Sequence, residues 1–264
     1  SLALIGELDP ATLARTDPDG ISVAEAIRNF GLDPANLRAA ALDDSAFAYL
    51  EFHIEQGPVL ESENLSLGIV DAIAGQTRLQ LTFTGHANHA GTTPMGPLRH
   101  DALAAAAQWI TEVERYANDC PGLVATVGKL DIPASAGNVI PGKVIATLDV
   151  RHAQDSVRQA AVRHYLDYAC TASASRGVSA SHATSLDPAA VPMDPALTAL
   201  LRDAVIRTTH TAPCIMTSGA GHDAMIIARR LPTAMLFLRS PGGLSHHPDE
   251  AVLTADVEAA LDAG

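Results

Sequence analysis

Cysteine is scarce here: Cys120, Cys170 and Cys214 are the only three in 264 residues, too far apart to match a disulfide framework or a zinc-binding spacing. They read as buried or free thiols, and a reducing cytoplasm is the expected setting. Positive charge is also short, with 17 Lys and Arg against 30 Asp and Glu and a formal net charge of −13. No basic cluster breaks that balance, which argues against nucleic acid or an anionic membrane as partner and leaves a small-molecule substrate. No apolar run approaches the roughly 20 residues of a membrane span. Ser1-Leu2-Ala3-Leu4 lacks the basic start of a secretion signal, and a chain opening on Ser instead of Met reads as trimmed or truncated. What the sequence does have is the make-up of a soluble globular protein, 47% hydrophobic and 18% charged, long enough for one large or two ordinary domains.

The stretch Gly85-His86-Ala87-Asn88-His89-Ala90-Gly91-Thr92-Thr93-Pro94-Met95 organises the rest. Gly85, Gly91 and Pro94 punctuate the backbone, while His86, Asn88 and His89 carry donors and acceptors too costly to bury unpaired. A structural turn needs fewer imidazoles, so this reads as an active-site loop. Upstream, Ser1 to Phe47 holds Asp-Pro turns around one short helix that Ser22 caps and Gly31 stops. Ala48 to Ile54 is an apolar strand that breaks at Gly57-Pro58. It leaves His53, Glu55 and Gln56 near its end, where ligands and catalytic groups gather.

Between Gln76 and Leu186 the periods change in a fixed order. Leu79, Leu81 and Phe83 alternate as a half-buried strand, and Leu103, Ala106, Ile110, Val113 and Ala117 recur at helical spacing. Leu123 to Leu130 and Val144 to Val150 read as strands, Ser156 to Ala172 as a helix, and Val178 to His182 as a last strand. The order β-α-β-β-α-β is that of a ferredoxin-like split sheet. Residues 76–186 are therefore expected to form a domain inserted into an α/β catalytic domain made of 1–75 and 187–264. The second part holds a helix over Pro195 to Thr209, a strand near Cys214, Gly219-Ala220-Gly221-His222-Asp223 opening a helix, a strand over Ala234 to Leu238 and a helix from Thr254 to Leu261.

His53-Ile54-Glu55 and His246-His247-Pro248-Asp249-Glu250 each follow an apolar strand and can converge on a metal, since neutral imidazole is the commonest protein ligand for zinc. Joined in order by the central loop, Gly137-Asn138-Val139-Ile140-Pro141-Gly142, Asp149-Val150-Arg151-His152 and Ser218-Gly219-Ala220-Gly221-His222-Asp223, they form a pattern that strongly resembles the N-carbamoyl-L-amino-acid hydrolase and allantoate amidohydrolase family, within the wider aminoacylase and carboxypeptidase group. The resemblance runs from about Asp9 to the C-terminus.

It implies a two-metal peptidase-like α/β catalytic domain carrying a ferredoxin-like dimerisation (lid) domain. It further implies two divalent ions per site (zinc, manganese, cobalt or nickel) and a homodimer. His53 and His246 would be metal ligands and Gln56 would face the substrate. His89 would stabilise the oxyanion and hold substrate, Asn138 and Arg151 would bind the substrate carboxylate, and the Gly219-Ala220-Gly221 backbone would line the pocket. The inserted domain's residues would complete the neighbouring subunit's site. The chemistry agrees, because Arg151 offers a planar fork suited to a carboxylate and alternates onto one sheet face with Thr147 and Asp149. Gly219 to Gly221 would precede a helix N-terminus that attracts negative charge. Simpler roles stand beside these: Arg151 paired with Asp149, His222-Asp223 as a helix cap, Glu55 and Glu250 solvated.

The family pattern also calls for an earlier His, a bridging Asp and a Glu-Glu pair, and no His precedes His53. The expectation is an incomplete catalytic domain, inactive or nearly so by itself, belonging to a metal-dependent amidohydrolase that cleaves the carbamoyl or ureido C–N bond of an N-carbamoyl-L-amino acid, allantoate or ureidopropionate. The alternative is a non-catalytic dimeric module that binds small carboxylates. A serine hydrolase built on Ser218 and His222 stands behind both, because the Gly-x-Ser-x-Gly elbow is missing.

Overall fold

The computed structural model describes all 264 residues, Ser1 to Gly264. Its strands are β1 (Tyr49–Ile54), β2 (Leu67–Ile73), β3 (Gly75–Thr84), β4 (Val124–Asp131), β5 (Lys143–His152), β6 (Ser179–Leu186), β7 (Val191–Pro192), β8 (Cys214–Ser218) and β9 (Thr233–Leu238). Its α-helices are α1 (Pro10–Leu13), α2 (Val23–Asn29), α3 (Val59–Ser62), α4 (Ala102–Asp119), α5 (Asp155–Ala174), α6 (Pro195–Thr209), α7 (Ala224–Ile227) and α8 (Thr254–Ala263). The chain is mixed α/β and divides into two compact units, unit 1 of Ser1–Ile73 with Pro192–Gly264 and unit 2 of Ala74–Val191. No helix is long and apolar enough to cross a membrane.

In unit 1, β9 runs parallel to β1 and antiparallel to β2, and β8 lies parallel to β2. Every residue of β9 is buried, and in β2 only Asp71 is exposed. A strand covered on both faces shows no period-two alternation, and Gly68 and Asp71 break the continuous apolar run by which β9 is legible, so Leu67 to Ile73 is absent from the expectations. Leu67, Ile69, Ala234, Leu236 and Leu238 pack against Leu201 and Val205 of α6 and Ala260 and Ala263 of α8. Burying each leucine or isoleucine there contributes about 1.5–3 kcal/mol. Helix α6 starts as its sequence dictates, with Pro195 in its first turn and the Asp194 carboxylate accepting from the Ala196 and Leu197 amides.

Unit 2 is a β-α-β-β-α-β chain whose antiparallel strands lie in the order β4-β5-β3-β6. Leu79, Leu81 and Phe83 of β3 and Val144, Ala146, Leu148 and Val150 of β5 join the α4 and α5 residues Trp109, Val113, Ala161 and Tyr165 in one core. Two polar contacts fix that packing, Trp109 Nε1 donating to the Tyr165 carbonyl at 3.0 Å and the Tyr165 hydroxyl donating to the Val113 carbonyl at 3.2 Å. Strand β6 reaches Leu186, beyond the expected His182, because its Ser-Ala-Ser-His-Ala-Thr-Ser-Leu run lacks an apolar face and backbone pairing with β3 alone defines it. Arg158, 1% exposed, pairs with Asp155 at 2.9 Å and with Asp187, and Thr77 donates to Asp187 at 2.7 Å. That network around the buried Arg158 guanidinium ties α5 to the start of β3 and the turn after β6.

Candidate functional site

Strand β1 carries Glu51 and His53 two residues apart, so both leave the same face. His53 Nδ1 donates to the Ile54 carbonyl at 2.7 Å, which assigns the ring's proton to Nδ1 and leaves the Nε2 lone pair as its ligand atom. The neighbour against this ring is His222, in edge-to-face contact at 4.6 Å between centroids. His222 in turn shares a 2.7 Å hydrogen bond with the Ser218 hydroxyl and lies 3.6 Å from Glu51. Burial first, and His53 next, push the His222 imidazole down to about 4, so it is neutral near pH 7. Glu51 also accepts from the Ala224 amide at 2.8 Å.

The Ser218–His222 contact is the geometry a serine hydrolase uses, but Ser218 is 1% exposed and its hydroxyl donates to the Ala220 carbonyl at 3.0 Å. A nucleophile needs access that this serine lacks. Gly219 to Gly221 lead into α7, which is only four residues long. The expected helix-terminal attraction for anions is thereby corrected, since a single turn sums few peptide dipoles and its Ala224 amide is already taken by Glu51.

Gln56 takes a left-handed backbone, φ 57°, at the end of β1, and its amide donates to Ser240 Oγ at 2.9 Å. Glu55 is no solvated carboxylate, because it accepts from the Val59 and Leu60 amides at 2.7 and 2.9 Å and so caps α3. His246 sits in an exposed left-handed turn, φ 56°, where Glu250 accepts from its amide at 3.0 Å. No group of three or more His, Cys, Asp or Glu side chains in the chain stands ready to hold a metal ion. The donor chemistry of His53 and His246 nonetheless fits a divalent ion, two neutral imidazoles being half of a tetrahedral zinc set.

In unit 2 the loop after β3 folds back on the segment before β5. Gly85 donates to the Gly142 carbonyl at 2.9 Å, Ala90 to the Asn138 carbonyl at 2.9 Å and Ile140 to the Asn88 carbonyl at 2.8 Å, with His89 bridging Val139. His89 and Asn138 are thus neighbours through the backbone. His89 Nδ1 accepts from the amides of Gly91 and Thr92 at 3.0 and 3.2 Å, which places the ring's proton on Nε2. The exposed edge of His89 is therefore a hydrogen-bond donor.

Arg151 lies elsewhere. Lys143 pairs with Thr84 and Arg151 with Gln76, eight residues further along β5, so Arg151 is about 25 Å from the His89 end of the sheet. Within one copy Asn138 and Arg151 do not meet one small carboxylate, a correction to their expected shared grip. Arg151 pairs with Asp149, its Nε at 2.8 Å from Oδ1. Sequence reasoning missed Glu51, whose only signal was its place two residues before His53, and it missed the His53–His222 contact, which has no sequence signal.

A model of the peptidase family M20/M25/M40 matches residues 22–263. The N-carbamoyl-L-amino-acid amidohydrolase of Paenarthrobacter aurescens is 38% identical over 238 residues, 89% of this chain and 57% of its own. The allantoate deiminase of Arabidopsis thaliana is 37% identical over 290 residues, 98% of this chain and 55% of its own. Among solved structures, an amidase of the hydantoinase/carbamoylase family from Burkholderia multivorans superposes with a TM-score of 0.90 at 32% identity, covering 99% of this chain and 63% of its own. The chain thus spans a little more than half the length of these curated relatives.

Proposed function

The chain belongs to the peptidase family M20/M25/M40, and from that premise we propose that it is part of a metal-dependent amidohydrolase that cleaves the carbamoyl or ureido C–N bond of a small carboxylate. N-carbamoyl-L-amino acids, allantoate and ureidopropionate are the substrate class, and the cytoplasm is the setting. The observation that carries this reading is His89, a ring that two backbone amides fix as an Nε2–H donor on an exposed loop. Such a donor stabilises negative charge developing on a carbonyl oxygen and needs no reorganisation when it does so.

His53 and His246 would hold the divalent ion, whether zinc, manganese, cobalt or nickel, with two ions per site. When bound, such an ion supplies Lewis acidity toward the ureido carbonyl. Gln56 faces the substrate beside His53, the Gly219-Ala220-Gly221 backbone lines the pocket, Asn138 holds the carboxylate from the His89 end, and Arg151 pairs with it. Because His89 with Asn138 and Arg151 occupy opposite ends of one sheet, a substrate that meets all three does so between two copies. Unit 2 is therefore read as a ferredoxin-like lid and dimerisation domain, and the enzyme as a homodimer.

Two imidazoles alone hold zinc weakly, so the chain by itself is expected to bind it loosely and turn over little. The absence of any three-donor group favours, as second reading, a dimeric carboxylate-binding module without catalysis. Ammonia release from the three substrates, measured in a protein that joins this chain to a complete ligand set, separates the two. His89→Ala should lower kcat/KM by about 100-fold or more with metal content unchanged, and His53→Ala should remove both. Full turnover in both variants would sink the roles given to His89 and His53, and stoichiometric metal with no hydrolysis of any substrate would sink the enzyme reading.

A further inference from the structure

Asp149 is the hub of a cross-strand cluster. Arg151 donates to it through Nε at 2.8 Å and Nη2 at 3.0 Å, Gln76 Nε2 donates at 2.6 Å and Arg78 Nε at 2.8 Å. Three of these donors converge on Oδ2 and one reaches Oδ1. Register explains the meeting: Gln76 stands opposite Arg151 and Arg78 opposite Asp149 on antiparallel β3 and β5, so all four side chains leave one face. Burial raises the Asp149 carboxyl, but the Arg151 and Arg78 hydrogen bonds outweigh it and hold the group below its ordinary range. Two guanidinium groups meet at this one carboxylate, and guanidinium is the planar fork that also suits a ligand carboxylate.

We propose that Asp149 is a positioning residue for Arg151, fixing the plane of its guanidinium so that it meets a substrate carboxylate already oriented, while Gln76 and Arg78 hold Asp149 in place. This rests on the reading of Arg151 as the carboxylate anchor. An arginine not held in this way loses rotamer freedom on binding, and preorganisation removes that cost from the affinity. Asp149 acts on the carboxylate end of the substrate alone, so its effect differs between a carboxylate and an otherwise equal neutral molecule.

The experiment titrates the full chain with N-carbamoylglycine and with its carboxamide by isothermal calorimetry, which reads the affinity in every variant. The wild type should prefer the carboxylate by about tenfold or more, and Asp149→Asn, folded as judged by thermal unfolding, should reduce that preference to about threefold or less. An Asp149→Asn chain that keeps the full preference, or loses affinity for both molecules equally, overturns the positioning role and leaves Arg151 as anchor. An Arg151→Ala chain that keeps the preference, or a wild type that shows none, overturns the anchor and the inference with it. Should Asp149→Asn not fold, Gln76→Leu removes one donor to Asp149 and no charge. A weakened preference in that variant supports the role, and an unchanged one overturns it.

Discussion

A histidine's chemistry depends on which ring nitrogen its neighbours claim, and this chain shows both outcomes. A carbonyl takes His53 Nδ1–H and leaves a lone pair for a cation, whereas two amides take the Nδ1 lone pair of His89 and leave an N–H for an anion. Carboxylates obey the same rule. Glu112 on α4 takes Arg115 at 2.6 Å and His164 at 2.6 Å. The Arg115 hydrogen bond, opposed by burial and aided by His164, holds its carboxyl at about 2 instead of 4.5. As pH falls the unfolded chain takes up this proton first, so the stabilisation is full above about 4.5 and is lost as pH falls through about 2. Glu112→Gln should lower the Tm at pH 7, and calorimetry at descending pH should show the gap to wild type closing below pH 4.5. A gap that stays constant would mean that the ion pairs add nothing.

At the scale of the element, the site depends on a loop pinned to a neighbouring segment. A Cβ at Gly142 would stand 2.7 Å from the Ala87 amide nitrogen and 3.0 Å from its Cβ, both in the loop that carries His89. That sets a methyl group against the Ala87 backbone and its Cβ, neither of which can swing aside, and overpacking of this kind costs about 1–3 kcal/mol. Gly142→Ala should therefore loosen the pairing of Asn88 and Ala90 with Asn138 and Ile140 while the sheet core stays intact. Hydrogen exchange would show it as about tenfold or faster exchange at the Ala90 and Ile140 amides, with Leu81 and Leu148 unchanged. Unchanged exchange at Ala90 and Ile140 would show that the bridge does not need a glycine there.

At the scale of the molecule, unit 2 is one continuous segment, Ala74–Val191. Its core is drawn entirely from its own residues, with Phe83, Trp109, Leu148 and Tyr165 fully buried. Excised as residues 74–191, it should unfold cooperatively in calorimetry, and light scattering should give the mass of two copies if it is the dimerisation domain proposed above. A broad, heatless transition would deny it an independent core. A sharp transition with a monomer's mass would remove the dimer alone.

The sequence by itself determined the faces and the motifs. Leu79, Leu81 and Phe83 alternate because β3 buries one side only, and the histidine motifs stand out because imidazoles at strand ends and in a glycine-punctuated loop are rarely needed for packing. The family and the β-α-β-β-α-β order followed from that pattern. Only the tertiary structure decided β2, whose two buried faces erase the alternation, and the ring contact between His53 and His222, which join from opposite ends of the sequence. It also set Arg151 far from His89. Periodicity fixes the face a side chain leaves by, but its distance from another strand's residues follows from register, which backbone pairing and core packing set together.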